Sequence, residues 1–244
     1  VTVTVNYVPN MVVSYIGALS FCQGGAVTLT ASGGFASYIW SNGATSQSII
    51  VNATGTYSLT GYTSAGCTST SSATTVSVNT LPTAVVTASG STTFCQGDSV
   101  VLSAPAGYTY SWSNGSTAQS ITATSNGTYS VTVTNTSGCS VTSTGTVISV
   151  SSLPAATVTA NGATTFCQGS SVTLSAPAGI GSYLWSNGAT GPTITVTNAG
   201  TYSVTVTNTN GCTSTSSGVV VSIDSIPNVI VTAQGPTAFC PGDS

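Results

Sequence analysis

The sequence predicts an all-β protein organised as a tandem array of β-sandwiches, and three observations lead to this prediction. Short segments in which apolar and polar residues alternate recur along the chain, separated by Gly, Asn and Pro. A set of landmark residues returns every 72 or 73 positions, which indicates a repeated structural unit. Thr, Ser, Val and Gly dominate the composition, whereas the helix formers Glu, Lys and Arg are absent.

The landmarks divide the chain into repeats, and an aliphatic–Pro pair marks each junction. The landmark positions are Cys22, Cys95, Cys167 and Cys240 in FC-x-G segments, Trp40, Trp112 and Trp185 in W-S-N-G turns, Tyr57, Tyr129 and Tyr202 in G-T-Y-S segments, and Cys67, Cys139 and Cys212 in G-C pairs. The predicted boundaries are 1–8 for the end of a preceding repeat, 9–81, 82–153 and 154–226 for three complete repeats, and 227–244 for the first strand and A–B connection of a following repeat. We therefore expect a piece of a longer array.

Alternation within the second repeat predicts seven strands in order. They are strand A at 84–90, strand B at 99–104, strand C at 108–113, a short strand C′, strand E at 120–124, strand F at 128–135 and strand G at 139–150. Asn114-Gly115 after strand C predicts a type I′ hairpin turn, in which both central residues have positive φ. Seven short strands around one buried Trp predict an immunoglobulin-like sandwich. Its expected core signature is Trp40, Trp112 and Trp185 together with Tyr57, Tyr129 and Tyr202.

The composition excludes several functions. The 244 residues contain no Lys, Arg or His, and only Asp98, Asp224 and Asp243 are charged. Nucleic-acid binding needs basic side chains against phosphate, and general acid–base catalysis usually needs His, Lys or paired carboxylates. A cysteine nucleophile would lack its histidine base, and three scattered Asp residues cannot form a calcium cage. We therefore expect no enzyme activity, no cofactor, no metal and no nucleic-acid partner.

The hydropathy pattern does not predict a membrane segment. No run approaches the roughly 18 consecutive apolar residues of a transmembrane helix, so membrane insertion is not expected. The chain shows no secretory signal, and its first residues already alternate like a strand, so we expect a mature or internal fragment.

The cysteines predict disulfides, since seven cysteines in a β-protein of this kind indicate an oxidising, extracellular location. Zinc is disfavoured because no C-x-x-C doublet is present. Repeats that follow one another head to tail must begin at one end and finish at the other, so each needs an odd number of strands. The A–B connection and the F–G turn of one repeat then lie at opposite ends, about 20 Å apart. This distance is too long for a disulfide, whose Cα atoms lie about 5.5 Å apart. This parity favours the inter-repeat bridges Cys22–Cys139 and Cys95–Cys212. The intra-repeat alternative, which needs a different chain path, is Cys22–Cys67, Cys95–Cys139 and Cys167–Cys212.

The combined pattern FCQG-x-SVTL, Y-x-WSNGAT, GTYSVTVTN, GC and LP resembles the immunoglobulin-like or PKD-like repeats of giant surface adhesins in Bacteroidota. These include gliding-motility adhesins and other type IX secretion cargo. The resemblance implies a stalk or spacer role at the cell surface. It also implies O-glycosylation in Asp-Ser motifs, at Ser99, Ser225 and Ser244. An Asp-Ser pair equally suits a turn before a strand.

Two functions remain open from the sequence. The first is a structural segment of an extracellular filament or adhesin stalk, whose partners are neighbouring repeats of the same chain and identical chains laterally. The alternative is a glycan- or ice-binding module, in which outward Thr ladders and four Tyr residues, Tyr38, Tyr62, Tyr108 and Tyr110, would contact surface glycans or ice. Because the repeats are near copies and a binding site usually sits in one specialised unit, the stalk is favoured.

Overall fold

The computed structural model describes residues 1–3, 5–235, 237–238 and 241. All of its regular elements are β-strands, and none of these described residues forms a helix that could cross a membrane. The chain divides into two compact units, 1–92 with 99–149 and 93–98 with 150–244. Cys240 and Ser244, which the sequence singles out as a repeat landmark and a glycan acceptor, lie outside the described residues.

The first repeat contains nine strand segments. They are β1 (Val13–Ile16), β2 (Ser20–Cys22), β3 (Val27–Ala31), β4 (Ser37–Trp40), β5 (Ser48–Val51), β6 (Gly55–Tyr57), β7 (Leu59–Tyr62), β8 (Thr68–Thr70) and β9 (Thr74–Asn79).

The other two repeats contain the same nine segments. In the second they are β10 (Thr87–Ala88), β11 (Thr93–Cys95), β12 (Val100–Ser103), β13 (Thr109–Trp112), β14 (Ser120–Ala123), β15 (Gly127–Tyr129), β16 (Val131–Thr134), β17 (Ser140–Thr142) and β18 (Thr146–Ser151). In the third they are β19 (Thr159–Ala160), β20 (Thr165–Cys167), β21 (Val172–Ser175), β22 (Gly181–Trp185), β23 (Thr193–Val196), β24 (Gly200–Tyr202), β25 (Val204–Asn208), β26 (Thr213–Thr215) and β27 (Val219–Asp224).

The strands of the first repeat pair in two layers. One layer is the antiparallel sheet β1-β3-β5, which corresponds to strands A, B and E. In the other, β4 pairs with β7 and β7 with β8, while β9 pairs antiparallel with β6 and parallel with β2. The third repeat repeats these pairings with β19-β21-β23, β22-β25-β26 and β20-β27-β24. The fold is therefore all-β, with an A–B–E sheet and a sheet built from C, F, G and the second half of A.

The core lies between the layers and follows the alternation of the sequence. In the first repeat Leu29, Trp40, Leu59 and Val76 are at most 1% exposed. The corresponding cluster of the third repeat includes Leu174, Trp185, Val204 and Val221. Fully burying a Val or Leu side chain contributes about 1.5–3 kcal/mol. Side chains at alternate strand positions therefore supply the main stabilising term of each repeat.

Strands F and G are each interrupted, whereas alternation predicts one continuous strand for each. Strand G bulges at a buried Ser, which is Ser71 in the first repeat. The Oγ of Ser71 accepts from Leu59 N (3.1 Å) and donates to Ser72 O (2.9 Å). Ser143 makes the same two bonds, accepting from Val131 N and donating to Thr144 O, and Ser216 Oγ accepts from Val204 N. The Ser hydroxyl accepts the bond from strand F in place of a backbone carbonyl, so strand G is divided here. Its two halves pair with the two halves of strand F.

Two local predictions were wrong. No strand C′ forms between β13 and β14. Ser116 O accepts from the backbone N of Trp112 and Ala118 O accepts from its Nε1, so this segment binds Trp112 and does not pair as a strand. The hairpin at Asn114-Gly115 is not type I′, since no described non-glycine residue has positive φ and only Gly115 (φ 86°) does at this turn. Gly115 N donates to Trp112 O, so a type I turn is followed by a left-handed glycine.

Strand directions put the two ends of a repeat at opposite poles. β2, the second half of strand A, runs parallel to β9, the last strand. The chain therefore enters and leaves each repeat in the same direction. The A–B connection after Cys22 lies at the C-terminal pole, and the turn that carries Cys67 lies at the N-terminal pole. The parity argument depends on this arrangement, although a loop takes the place of the predicted strand C′.

Candidate functional site: the disulfide-linked junctions

Two disulfides join successive repeats. Within the first unit, Cys22 at the end of β2 is bonded to Cys139 in the turn between β16 and β17, with a Cα–Cα distance of 5.6 Å. Within the second unit, Cys95 is bonded to Cys212, also with Cα atoms 5.6 Å apart. Both bonds span 117 residues. These are the two inter-repeat pairs that strand parity favours.

The intra-repeat alternative is not the pairing in the structure. Cys22 and Cys95 bond to the next repeat, so Cys22–Cys67 and Cys95–Cys139 do not form, and Cys67 and Cys167 are free thiols. The physical reason is the polarity of the strands: the two cysteines of one repeat lie at opposite poles. A disulfide needs Cα atoms about 5.5 Å apart, which only cysteines of facing poles provide.

An asparagine four residues before the buried cysteine holds each junction. We call this contact the asparagine bridge; Asn135 makes it in the first unit and Asn208 in the second. Asn135 Nδ2 donates to Thr80 O of the preceding repeat (2.9 Å), and its Oδ1 accepts from Cys139 N (3.0 Å). Asn208 Nδ2 likewise donates to Ser152 O (3.0 Å), and its Oδ1 accepts from the backbone N of Cys212 (2.9 Å). One side chain thus shapes the cysteine turn and binds the linker before it.

The other half of each junction is also built from backbone hydrogen bonds. Gln23 N donates to Asn79 O (2.8 Å) and Gln96 N donates to Ser151 O (2.8 Å). These hydrogen bonds hold the A–B connection against the end of strand G. Cys139 and Cys212 are buried, with exposed fractions of 0% and 1%. Each disulfide is therefore shielded on the side of the following repeat.

Sequence reasoning missed the asparagine bridge. The spacing N-x-x-G-C, which occurs at Asn135 and Asn208, signals only the contact within the turn, because Asn before a turn accepts from the backbone a few residues later; it does not signal the bond to the preceding repeat. The first repeat has Thr63 at this position, and its Oγ1 accepts from Cys67 N (3.1 Å). Thr63 supplies the turn bond, but it has no amide to donate to a preceding linker.

Replacing Asn208 separates its two roles. Asn208→Asp keeps an oxygen acceptor for the turn but loses the donor to Ser152 O, and Asn208→Ala loses both contacts. A hydrogen bond contributes about 1 kcal/mol, so we expect dithiothreitol to reduce Cys95–Cys212 about fivefold faster in Asn208→Asp and faster still in Asn208→Ala. The matched control is Asn210→Ala, an exposed residue of the same turn. Equal reduction rates in Asn208→Asp and Asn210→Ala would contradict the bridge.

The predicted core signature residues occupy equivalent places in all three repeats. Strand C of each repeat (β4, β13 and β22) ends in a buried tryptophan, which is Trp40, Trp112 or Trp185. Each Nε1 donates to a backbone oxygen six residues later, at 2.8 Å. The tyrosines of strand F are half-buried, and each hydroxyl donates to the carbonyl four residues earlier, from Tyr57, Tyr129 and Tyr202. A buried Trp on the third strand and a tyrosine corner at strand F are features of immunoglobulin-like sandwiches.

The residues of the glycan- or ice-binding alternative are mostly engaged within the fold. Tyr38 and Tyr110 are half-buried, and their hydroxyls donate to Ser32 O (3.3 Å) and Pro105 O (2.8 Å). Tyr62 and Tyr108 are also half-buried. The Thr side chains hydrogen-bond across strands, with Oγ1–Oγ1 distances of 3.1 Å at Thr60–Thr70 and 2.8 Å at both Thr132–Thr142 and Thr205–Thr215.

An open groove of about 280 Å³ lies at the C-terminal pole of the first repeat. Its lining combines backbone with neutral amide and hydroxyl groups, and none of the four tyrosines contributes. The lining residues are Gln23, Asn52, Ala53, Thr54, Val78, Asn79 and Thr80.

The predicted glycan acceptors are accessible. Ser99 follows the A–B connection of the second repeat, Ser225 follows β27, and both side chains are exposed together with the Asp residue before each. Ser244 lies outside the described residues. Glycosylation of these serines stays a prediction.

No protein-family model and no curated protein matches the chain. Solved structures do match. A four-Ig-domain fragment of Dscam1 isoform 9.44 is 12% identical, with 91% of this chain and 74% of that chain covered and a TM-score of 0.26. A D1–D4 ectodomain fragment of ICAM-5 is 12% identical over 86% and 75%, with a TM-score of 0.43. The SGBP-B protein of Bacteroides ovatus is 15% identical over 84% and 65%, with a TM-score of 0.21. Since these scores lie below 0.5, the assignment of an all-β, immunoglobulin-like fold depends on the strand pairings, the buried Trp and the tyrosine corner.

Proposed function

We propose that this chain is a structural segment of a long extracellular filament or adhesin stalk, built as a tandem array of seven-stranded immunoglobulin-like sandwiches. The observation that carries the proposal is the interlocking of the two disulfides. Cys95 lies inside the loop closed by Cys22–Cys139, and Cys139 lies inside the loop closed by Cys95–Cys212. Every residue from Cys22 to Cys212 is therefore enclosed by at least one covalent loop.

Such junctions favour a load-bearing spacer. A disulfide and an asparagine bridge together restrict the rotation of one repeat about the linker to the next, which lowers the entropy that a flexible linker would retain. A proline at each repeat boundary restricts the linker further, as at Pro82 and Pro154. Reach and stiffness are the properties that a stalk needs.

The disulfides and the composition also fit an extracellular surface. Structural disulfides persist in oxidising compartments. Trypsin has no cleavage site in a chain without Lys or Arg. With three Asp as the only charged side chains, little Coulomb interaction exists for salt to screen, so stability should be nearly independent of ionic strength. We also propose a Bacteroidota gliding-motility adhesin or other type IX secretion cargo as the parent protein, with O-glycans on Ser99 and Ser225.

Small-angle X-ray scattering tests the stalk. The double variant Cys139→Ala/Cys212→Ala removes both clips and should broaden the distribution of molecular dimensions, because the linkers regain freedom. Cys67→Ala/Cys167→Ala removes as many cysteines but no disulfide, and it should leave the scattering unchanged, as should a change from 0.02 M to 1 M salt.

Two results would contradict the proposal. One is identical scattering from the two double variants, which would mean that the clips do not stiffen the chain. The other is a specific hit for the oxidised protein on a glycan array or in an ice-recrystallisation assay, which would favour the binding module.

A further inference from the structure

Two turns of the third repeat have the same backbone hydrogen bonds and each contains an Asn-Gly pair. The tryptophan turn is formed by residues 185–189 and the cysteine turn by residues 208–212. In each turn the first N donates to the O of the last residue, at 2.8 Å and 2.9 Å, and the glycine N donates to the O of the first residue, at 2.8 Å and 3.0 Å. Gly188 and Gly211 have φ angles of 85° and 81°. The two Asn-Gly pairs are therefore matched in backbone geometry.

The two asparagine side chains differ in one hydrogen bond. Asn187 Oδ1 accepts from Ala189 N (3.2 Å). The equivalent nitrogen of the cysteine turn, Cys212 N, donates instead to Asn208 Oδ1 (2.9 Å), as part of the asparagine bridge. The backbone N of Asn210 also donates to Asn208 Oδ1 (3.0 Å), but no described residue bonds to the exposed side chain of Asn210. The asparagine bridge thus takes the donor that holds the side chain of Asn187 in the matched turn.

We propose that Asn210 is a site of spontaneous deamidation, and that its modification loosens the Cys95–Cys212 disulfide. The nitrogen of Gly211 loses its proton to base and attacks Cγ of Asn210. A C–N bond forms, the side-chain nitrogen leaves as ammonia after taking up a proton, and the product is a succinimide. Water then opens the ring at either carbonyl and gives aspartate or isoaspartate. Glycine favours the attack because it puts no side chain in the way.

The hydrogen bond of Asn187 should slow the same reaction in the tryptophan turn. Ring closure requires the asparagine side chain to turn until its Cγ meets the nitrogen of the next residue. At Asn187 this movement breaks the contact with Ala189 N, whereas at Asn210 it breaks no side-chain contact. In both turns the glycine nitrogen must also leave its carbonyl partner, so this cost is common to both. Asn42 and Asn114 make the contact of Asn187 in the other two tryptophan turns and should resist equally.

The consequence of deamidation falls on one junction. The product carries a carboxylate, and isoaspartate also adds one methylene to the backbone of the cysteine turn. This turn contains Asn208, whose Nδ2 donates to Ser152 O, and the buried Cys212. We expect the altered turn to lose the asparagine bridge and to open the disulfide to reductant. The second repeat has Ser137 at this position of its cysteine turn, so that turn cannot change in the same way.

Mass spectrometry of the ageing protein tests the site. The complete oxidised chain is incubated in mildly alkaline buffer, and samples are digested with pepsin at acid pH, where the glycine nitrogen keeps its proton. Because one hydrogen bond corresponds to about a fivefold factor, the peptide with Asn210 should deamidate about fivefold faster than the peptide with Asn187. In the reduced chain unfolded in guanidinium the two rates should converge. Equal rates in the folded protein would overturn the proposal.

Two variants of Asn208 test the competition for Cys212 N. Asn208→Ala frees this nitrogen to bond Asn210 Oδ1 in the manner of the tryptophan turn, and it should slow the deamidation of Asn210 about fivefold. Asn208→Asp keeps the oxygen acceptor and should leave the rate at that of the parent protein, although it loses the donor to the preceding linker. A rate in Asn208→Ala that is unchanged or faster would overturn the proposal, because a loosened turn and not the competing bond would then control the reaction.

Reduction of the aged protein tests the consequence. Dithiothreitol should reduce Cys95–Cys212 about fivefold faster after deamidation, since one hydrogen bond of the bridge is lost, and Cys22–Cys139 should keep its rate. The matched control is aged Asn210→Ser, which has the residue of the second repeat and should react like fresh protein. Equal reduction of Cys95–Cys212 before and after deamidation would overturn the effect on the junction. None of these readouts depends on the stalk role, so the two proposals can fail separately.

Discussion

When the oxidised protein is stretched by its two ends, the segment from Cys22 to Cys212 should reach at most the contour length of 44 residues. With both disulfides intact, the shortest covalent path crosses from Cys22 to Cys139, runs back along the chain to Cys95 and crosses to Cys212. The reduced chain has 190 residues between the same two positions. At about 3.4 Å per extended residue the limits are roughly 150 Å and 650 Å. Single-molecule force spectroscopy with and without reductant measures this more than fourfold difference.

A free-cysteine variant separates the two pairings in the same experiment. With inter-repeat bonds, Cys67→Ala leaves the path at 44 residues, because Cys67 is not bonded. With intra-repeat bonds the path of the parent protein would be 56 residues, and Cys67→Ala would lengthen it to 101 by opening the first loop. An increase in contour length on replacing Cys67 would contradict the structure.

Loss of one junction disulfide should strongly destabilise the unit that contains it. Cys22–Cys139 closes a loop of 117 residues, and the chain-entropy model assigns about 4 to 5 kcal/mol to such a loop. Cys139→Ala removes this restraint on the unfolded chain. In urea, with a typical slope of about 2 kcal/mol per molar, the unfolding midpoint of the first unit should fall by about 2 M.

The fluorescence of Trp40 and Trp112 reports this transition in a Trp185→Phe background, since these two residues lie in the first unit. Cys67→Ala is the matched control and should change the midpoint little, because replacing a free thiol breaks no bond. If Cys139→Ala lowered the midpoint no more than Cys67→Ala, the covalent clip would not stabilise the fold.

Much of the fold could be predicted because period-two alternation is visible in short stretches of sequence and, together with strand parity, restricts where distant residues can lie. Val100 and Leu102 alternate with outward residues, and both are buried in strand B. Strand parity favoured the pairing that the structure has without excluding the intra-repeat alternative, because an odd number of passes places Cys95 and Cys139 at opposite poles. The predicted strand C′ is a loop that binds Trp112, and this loop makes the pass that the strand was expected to make.

The rest depends on single side chains whose partners are distant in sequence. Asn135 appears in the sequence as an ordinary turn residue, and its contact with Thr80 O spans 55 residues, so no local pattern reveals it. Ser143 lies within the continuous strand G that the sequence predicts, but its buried hydroxyl accepts from Val131 N and strand G is interrupted there. Such contacts follow from the packed geometry, because a polar side chain can replace a backbone partner only where the chain brings the two together.

Non-reducing peptide mapping tests the inter-repeat disulfides most directly. The protein is alkylated without reduction and digested with pepsin at acid pH, where disulfide exchange is slow because thiolates are scarce and where cleavage needs neither Lys nor Arg. We predict that the peptide with Cys95 is joined to the peptide with Cys212, that the peptide with Cys22 is joined to the peptide with Cys139, and that Cys67 carries the alkyl label. A peptide with Cys95 joined to one with Cys139 would contradict the account.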